Sequence, residues 1–168
     1  MKRFFVLFCA LLVILFSLEL WRPVQHLAVV PWTHALARLS GAVASFFDAE
    51  VVAQGKLLLD RRSGSGVSIE AGCNGVEACL MLIAAMLAFP TGWRQKLKGV
   101  AIGIVAVQAV NVLRVISLFY LQRWDAEVFS FAHLYLWQAL IMLDVLVVWL
   151  LWIRRLPRLV ANESTTHG

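Results

Sequence analysis

Charged residues are scarce in this sequence, and their scarcity argues against a soluble domain. Only 15% of the 168 residues are Asp, Glu, Lys or Arg, whereas 61% are hydrophobic. Soluble domains are roughly half apolar and about one-quarter charged, so the composition predicts a small polytopic membrane protein. The formal net charge of +5 comes from short basic clusters beside apolar runs. Basic clusters in such positions are typical of residues that orient the spans of a membrane protein, so we expect no nucleic-acid partner.

Cysteine is also rare. The three cysteines, at positions 9, 73 and 79, form no C-x-x-C pair and have no metal-ligand spacing with the histidines. Cys73 and Cys79 would lie about 9 Å apart along a helix axis, which is too far for a disulfide. Cys9 and Cys79 lie inside apolar runs and are predicted to be inert packing residues. We therefore predict free thiols, with no metal and no cofactor.

Four apolar runs are candidate membrane spans. The first follows Lys2 and Arg3 and has no small-residue cleavage site at its end, so we predict an uncleaved anchor and not a signal peptide. A basic loop, 93–98, precedes the third run, and a polar linker, 122–133, precedes the fourth. The prediction is an all-α polytopic membrane protein with one domain, 1–168. Its four transmembrane helices are expected at about 4–20, 76–89, 99–121 and 134–153.

The distribution of charge predicts the orientation of the chain. The N-terminus, the loop at 91–98 and the tail, 154–168, together carry eight basic residues and one acid. The segments on the other side of the membrane carry six of each. Because basic residues stay on the cytoplasmic side, both termini are predicted to be cytoplasmic. Cys73 and His133 then face outward, and membrane lipids surround the spans.

The outer segment, 21–75, is predicted to contain helices and a hairpin. Apolar residues recur at helical spacing over 24–47, which indicates amphipathic helices at the membrane surface. Short β-type runs around Leu57–Leu59 and Val67–Ile69 lie on either side of S-G-S-G. They predict a small β-hairpin before the second span, and that hairpin delivers Cys73 to the edge of the bilayer.

Cys73 lies in a polar, glycine-rich turn, A-G-C-N-G, that leads directly into the second span. Gly72 and Gly75 allow the backbone to turn, and Asn74 is a suitable helix cap. At the start of a helix, unpaired N–H groups and the helix dipole favour the thiolate, which is the nucleophilic form of cysteine. Cys73 is therefore the candidate nucleophile.

Two further groups are expected at a similar depth in the membrane. Arg114 lies inside the third span, about 10 Å below the outer surface, where an arginine usually has a function or a specific partner. His133 begins the fourth span. Glu77 and Asn111 are supporting candidates, Glu77 as an ion-pair partner of Arg114 and Asn111 to orient the guanidinium or bond a neighbouring helix. A purely structural ion pair is the alternative role for Arg114, and a solvated surface position is the alternative for His133.

A thiol, a guanidinium and an imidazole together suit acyl transfer. A Cys73 thiolate attacks a backbone carbonyl and forms a thioester. Arg114 stays protonated, so it stabilises negative charge and cannot serve as a base. His133 shuttles the proton to the leaving amine or helps to hold the oxyanion. Release of the acyl group to water makes a protease, and release to an amine or hydroxyl makes a transpeptidase.

The ordered set A-G-C-N-G at 71–75, N-V-L-R at 111–114 and His133 resembles the exosortase/archaeosortase family of membrane transpeptidases. The short chain and its M-K-R-F-F-V-L-F opening are most similar to the exosortase H branch. The resemblance implies cleavage of a C-terminal tripartite sorting signal on secreted proteins, made of a short IPTL-type motif, a transmembrane helix and a basic tail. It implies transfer of the new C-terminus to an acceptor, in a bacterial inner membrane with the active site facing the periplasm. By matched position, Cys73 is the nucleophile, Arg114 a hydrogen-bond donor and His133 the transition-state stabiliser.

Two other functions remain open from the sequence. In one, the protein is a non-catalytic assembly or scaffold subunit in which Arg114 and Glu77 join helices. In the other, it is a thiol-redox membrane protein, although the absence of a cysteine pair argues against that reading.

Overall fold

The computed structural model describes residues 2–156. The protein is mostly helical, as its composition predicts, and it contains one small sheet. The predicted tail, 154–168, lies outside the described residues from position 157 onwards.

Seven α-helices and two π-helical turns follow one another along the described chain. They are α1 (Lys2–Glu19), α2 (Arg22–Val24), a first π-turn (Gln25–Val29), α3 (Val30–Ser45), α4 (Val76–Ala88), α5 (Trp93–Trp124), α6 (Ala126–Phe131), a second π-turn (Ala132–Leu136) and α7 (Trp137–Arg155). The helical structure predicted over 24–47 is confirmed by α3 and the turn before it. Its position at a membrane surface stays a prediction.

Two predicted connections are wrong. The basic loop expected at 93–98 forms the first turns of α5, since it contains neither Gly nor Pro and its residues are compatible with a helix. The linker expected at 122–133 is also helical, apart from Asp125. Asp125 is extended and its carboxylate accepts two N–H groups of the following turn, so it caps α6. His133 consequently lies within a helical segment and not at its start.

Two of the helical segments are long and apolar enough to cross a bilayer, namely α5 and the segment Ala126–Arg155. The pair Lys2–Glu19 and Arg22–Ser45, bent by 69°, makes a third if it is counted as one broken span. Helix α4 is apolar but has only 13 residues, about 20 Å of helix against a hydrocarbon core of about 30 Å. Four spans and their orientation therefore stay predictions.

The predicted hairpin is confirmed, and a third strand joins it. Strands β2 (Leu57–Asp60) and β3 (Gly66–Ser68) pair antiparallel, with Leu58 opposite Val67. Strand β1 (Val51–Gln54) lies on the other side of β2, which gives the order β1-β2-β3. Strand β1 was not predicted, because V-V-A-Q is only four residues long and gives little periodicity.

A hydrophobic core joins the sheet to α3 and α5, so that the sheet is seated against a long helix. Its buried members are Leu36, Ala37, Ala44, Val51, Leu58, Ile69, Val112, Val115 and Phe119. A second buried cluster joins α4, α5 and α7. Helix α5 takes part in both clusters, and it therefore fixes the sheet relative to α4 and α7.

Arg123, near the end of α5, joins the sheet to this helix through ion pairs outside the hydrophobic core. Its guanidinium lies 3.1 Å from the carboxylate of Asp48 and 3.0 Å from that of Asp60. The Asp60 carboxylate also accepts the N–H of Arg62 and the hydroxyl of Ser63. These hydrogen bonds, with the charge of Arg123, lower the pKa of Asp60. Asp60 therefore stays ionised at neutral pH and holds the β2–β3 turn against α5.

Candidate active site

The structure brings the three principal site residues together. Cys73 Sγ lies 3.1 Å from His133 Nε2. Arg114 Nη2 donates to the same sulfur at 3.5 Å, and its Nη1 donates to the carbonyl of Gly72 at 3.0 Å. The thiol comes from the loop before α4, the guanidinium from α5 and the imidazole from the second π-turn. Three separate elements thus converge on one sulfur atom.

The loop that carries Cys73 is held by hydrogen bonds on both sides of the thiol. Gly72 N–H donates to Glu77 Oε1 at 2.7 Å, and Cys73 N–H donates to the carbonyl of Glu70 at 2.9 Å. Asn111 Nδ2 donates to the Cys73 carbonyl at 3.3 Å. With the bond from Arg114 to Gly72, each backbone polar group of Gly72 and Cys73 has a partner. The position of the sulfur is therefore preorganised.

The next residue, Asn74, is 1% exposed and anchors the loop to α3. Its carbonyl accepts from Trp32 Nε1 at 3.2 Å and from Gln108 Nε2 at 3.4 Å, while its Nδ2 donates to the Thr33 hydroxyl. Its Oδ1 accepts the N–H of Val76 at 3.0 Å. Asn74 therefore caps α4 as predicted, but it does so from the residue before the N-cap position, which Gly75 occupies.

Gly75 is required for two reasons. Its φ of +71° is in the left-handed region that favours glycine. A Cβ there would lie 2.8 Å from Gln108 Nε2 and 2.9 Å from Asn111 Nδ2. A larger residue would therefore displace the amides that hold the Cys73 loop.

His133 is oriented by its own helix. Its ring stacks on Phe129, with centroids 5.6 Å apart and an angle of 3° between the planes. Phe129 precedes His133 by four residues, and the wider π-turn at Ala132–Leu136 lies where the imidazole is presented to Cys73. Such turns often occur at functional sites. The stacking restricts rotation of the imidazole, so that Nε2 stays within reach of the thiol.

A cavity of about 390 Å³ opens beside these groups. Residues 66–73 form one wall, and α5 contributes Arg114 and Leu118 to another. Phe129 and His133 close the third side. The Cys73 sulfur therefore lies at the wall of a cleft large enough for a short segment of peptide.

The family model described as Transmembrane exosortase (Exosortase_EpsH) matches residues 1–151, which is most of the chain. The chain belongs to the transmembrane exosortase family. No curated protein and no solved structure matches it. Within residues 2–156 of this exosortase, no group of three or more His, Cys, Asp or Glu side chains is placed to hold a metal ion.

Two supporting residues of the exosortase are placed differently from the prediction. Glu77 forms no ion pair with Arg114 among the described residues, and its carboxylate instead accepts the Gly72 N–H. Among the described residues, Asn111 forms no hydrogen bond with the guanidinium, and its Nδ2 donates to the Cys73 carbonyl and to Gln108 Oε1. Both residues therefore hold the loop that carries Cys73, and neither forms a hydrogen bond with the arginine among the described residues.

Gln108, Trp32 and Phe129 also contact residues of the candidate site and were not predicted from the sequence. A signal for Gln108 was present, because it precedes Asn111 by three residues and Arg114 by six. That spacing places three polar side chains on one face of an otherwise apolar helix. Trp32 and Phe129 gave no comparable signal, since aromatic residues are common throughout the chain.

Burial raises the pKa of the Cys73 thiol. The charge of Arg114 acts in the opposite direction, and the carboxylates of Glu77 and Glu70 add to the increase. The thiolate expected from the helix N-terminus is therefore not favoured at rest, since Cys73 lies three residues before α4 and its own N–H is already bonded. His133 Nε2 lies 3.1 Å from the sulfur, within hydrogen-bond distance of the thiol.

The pKa of Cys73 should respond in opposite directions to two substitutions. Arg114→Gln removes a cation that stabilises the thiolate, so we expect a higher pKa. Glu77→Gln removes an anion that destabilises it, so we expect a lower one, and the amide oxygen can still accept the Gly72 N–H. The measurement is the pH dependence of alkylation by iodoacetamide, in a Cys9→Ser, Cys79→Ala background. Shifts in the same direction would contradict this electrostatic account.

Proposed function

We propose that this exosortase is a membrane-embedded cysteine transpeptidase or protease. It cleaves a C-terminal sorting signal, made of a short motif, a transmembrane helix and a basic tail, and transfers the new C-terminus to an acceptor. The observation that supports this proposal most strongly is the 3.1 Å contact of Cys73 Sγ with His133 Nε2, with Arg114 Nη2 at 3.5 Å from the same sulfur. Nucleophile, proton acceptor and cation occupy one cleft.

The reaction proceeds through an acyl-enzyme. His133 Nε2 accepts the thiol proton as Cys73 Sγ forms a bond to the scissile carbonyl carbon, and negative charge develops on the carbonyl oxygen. Arg114 stabilises that charge. The carbon–nitrogen bond then breaks, the imidazolium gives its proton to the leaving amine, and a thioester remains on Cys73.

A second nucleophile completes the cycle. An amine, hydroxyl or water loses its proton to His133 as it attacks the thioester carbon. The carbon–sulfur bond breaks, the imidazolium returns the proton to sulfur, and the acyl group leaves on the acceptor. The chemical class of the acceptor decides between transfer and hydrolysis.

The membrane arrangement is part of the proposal. The protein crosses a bacterial inner membrane four times, with both termini in the cytoplasm, and the cleft opens to the periplasm. The charge asymmetry supports this orientation, because both sequence ends and the start of α5 are rich in basic residues. Exposed apolar side chains along α1 and α7 provide surfaces that lipid can cover.

The family branch and the signal are further elements of the proposal. The compact chain and its opening sequence support the exosortase H branch, whose signals carry an IPTL-type motif. A scaffold function receives less support, because it assigned Arg114 and Glu77 to an ion pair between helices. Arg114 is instead directed at Gly72 and at the sulfur.

Trapping the thioester tests the proposal. The exosortase is produced together with a secreted protein that ends in such a signal, and we expect a covalent adduct of the two at Cys73. The adduct should be cleaved by neutral hydroxylamine, which attacks thioesters, and should be identified by mass spectrometry of the Cys73 peptide. Cys79 is the internal control, since it is buried away from the cleft and must carry no acyl group. No adduct in the presence of processed substrate would overturn the mechanism.

A further inference from the structure

Strand β3 is an edge strand, since the sheet has the order β1-β2-β3. Two hydrogen bonds show which of its backbone groups face β2. Asp60 N–H donates to the Ser65 carbonyl at 2.8 Å, and Ile69 N–H donates to the Lys56 carbonyl at 3.0 Å. The polar backbone groups of successive residues in a strand point to opposite edges. The odd-numbered residues from 65 to 69 therefore direct their N–H and C=O groups towards β2.

Gly66 and Ser68 consequently direct their N–H and C=O groups away from the sheet. Within residues 2–156, neither has a backbone hydrogen bond to a group outside the sheet. Both residues are half-buried and line the same cavity as Cys73. An unpaired edge of this kind can accept one more strand.

The free edge leads directly to the nucleophile. Ser68 and Cys73 are five residues apart, a distance of at most about 18 Å even in a fully extended chain. A peptide of about five residues that starts on the edge can therefore reach the sulfur. Leu118, Phe129 and Leu134 line the cleft and offer apolar contacts to alternate side chains of such a peptide.

We propose that the segment of substrate around the scissile bond docks as an extended strand on the free edge of β3. This inference rests on the proposed function and specifies how its substrate is held. The edge presents both donors and acceptors at a two-residue repeat, which is the pattern that a peptide backbone complements. A lipid headgroup has no chain of donors and acceptors at this fixed repeat, so it cannot pair with the edge as a peptide backbone does. Backbone pairing fixes the register of the scissile carbonyl against Cys73 Sγ.

The first test compares two substitutions at one position. Ser68→Pro removes the N–H that faces the free edge, which an edge strand tolerates. Ser68→Ala keeps the N–H, and both variants lose the same hydroxyl, which donates to Glu70. We expect Ser68→Pro to process the secreted substrate at least about tenfold more slowly than Ser68→Ala, because the two variants differ in the backbone N–H. Alkylation of Cys73 by iodoacetamide should be equal in both, which shows an intact site.

The second test leaves the exosortase unchanged. Synthetic substrate peptides carry one N-methyl group each, at successive positions before the cleavage site. Docking on a strand predicts that every second N-methyl group reduces cleavage at least about tenfold and that the positions between them are tolerated. If Ser68→Pro also alters alkylation of Cys73, the variant disturbs the site itself, and the N-methyl peptides then decide whether the substrate docks as a strand.

The outcomes separate the two proposals. Processing that survives Cys73→Ala overturns the proposed function. Processing that depends on Cys73, but is equal in Ser68→Pro and Ser68→Ala and shows no period of two with N-methyl peptides, overturns strand docking alone. A dimer that is lost in Ser68→Pro while processing is retained assigns the edge to a second copy of this chain, and it also overturns strand docking.

Discussion

Cys73→Ala is expected to abolish processing of the secreted substrate, with a fall in rate of about 10³-fold or more. Alanine retains the small side chain but provides no atom that can form the acyl-enzyme. The loop should keep its conformation, since its backbone hydrogen bonds to Glu77, Asn111 and Arg114 do not involve sulfur. Uncleaved substrate and unchanged abundance of the exosortase would be measured together by immunoblotting.

Cys79→Ala is the matched control for this experiment. Cys79 is a buried cysteine, whereas Cys73 is half-buried. It lies six residues further along the same segment, and its sulfur accepts a hydrogen bond from Gln108 Nε2. It faces the core of α4, α5 and α7 and not the cleft. We expect processing within about twofold of the parent. Equal processing in Cys73→Ala and Cys79→Ala would leave a non-catalytic scaffold as the better account.

The convergence of Cys73, Arg114 and His133 could be predicted from order and depth alone. The three residues lie in or beside successive apolar segments, and their positions along those segments imply a similar depth in the membrane. The asymmetry of charge predicts that all three lie on the same side of the membrane. The distances between their side-chain atoms could not be predicted, because the rotation of each helix about its axis depends on packing partners that are distant in sequence.

The roles of Glu77 and Asn111 were mispredicted for a related reason. Opposite charges inside a membrane suggest an ion pair, so Glu77 was assigned to Arg114. The backbone N–H and C=O groups of Gly72 compete for the same side chains, and they bond Glu77 and Arg114 respectively. Glu77 and Arg114 thus bond the loop and not each other. The sequence alone could not predict which of these interactions would form.

The boundaries of the helices show where composition misleads. Basic residues at 93–98 looked like a loop because they separate two apolar runs, yet Arg, Gln, Lys and Leu are good helix formers. Helix α5 thus begins at Trp93 and carries its charges on the first turns. The β-hairpin, in contrast, was correctly predicted because S-G-S-G gives a strong turn signal between two β-type runs.

Arg114→Lys is expected to reduce processing by about 10²- to 10³-fold, the usual cost of losing one preorganised donor to a developing anion. The guanidinium of Arg114 bridges two acceptors, the Gly72 carbonyl and Cys73 Sγ. A lysine ammonium has the same charge but lacks the planar fork, so it cannot occupy both positions at once. The measurement is the rate of substrate cleavage, with the thioester on Cys73 quantified in parallel.

Arg123→Lys provides the comparison, because Arg123 is on the same helix and also bridges two acceptors, the carboxylates of Asp48 and Asp60. It lies away from the sulfur, so its loss should change thermal stability more than cleavage. Two readouts then distinguish catalysis from packing. A transition-state role predicts that Arg114→Lys lowers thioester formation while the melting temperature of the detergent-solubilised protein stays close to that of the parent. Full activity in Arg114→Lys would reduce the arginine to a residue that holds the Gly72 turn, since one ammonium is sufficient to bond a single carbonyl.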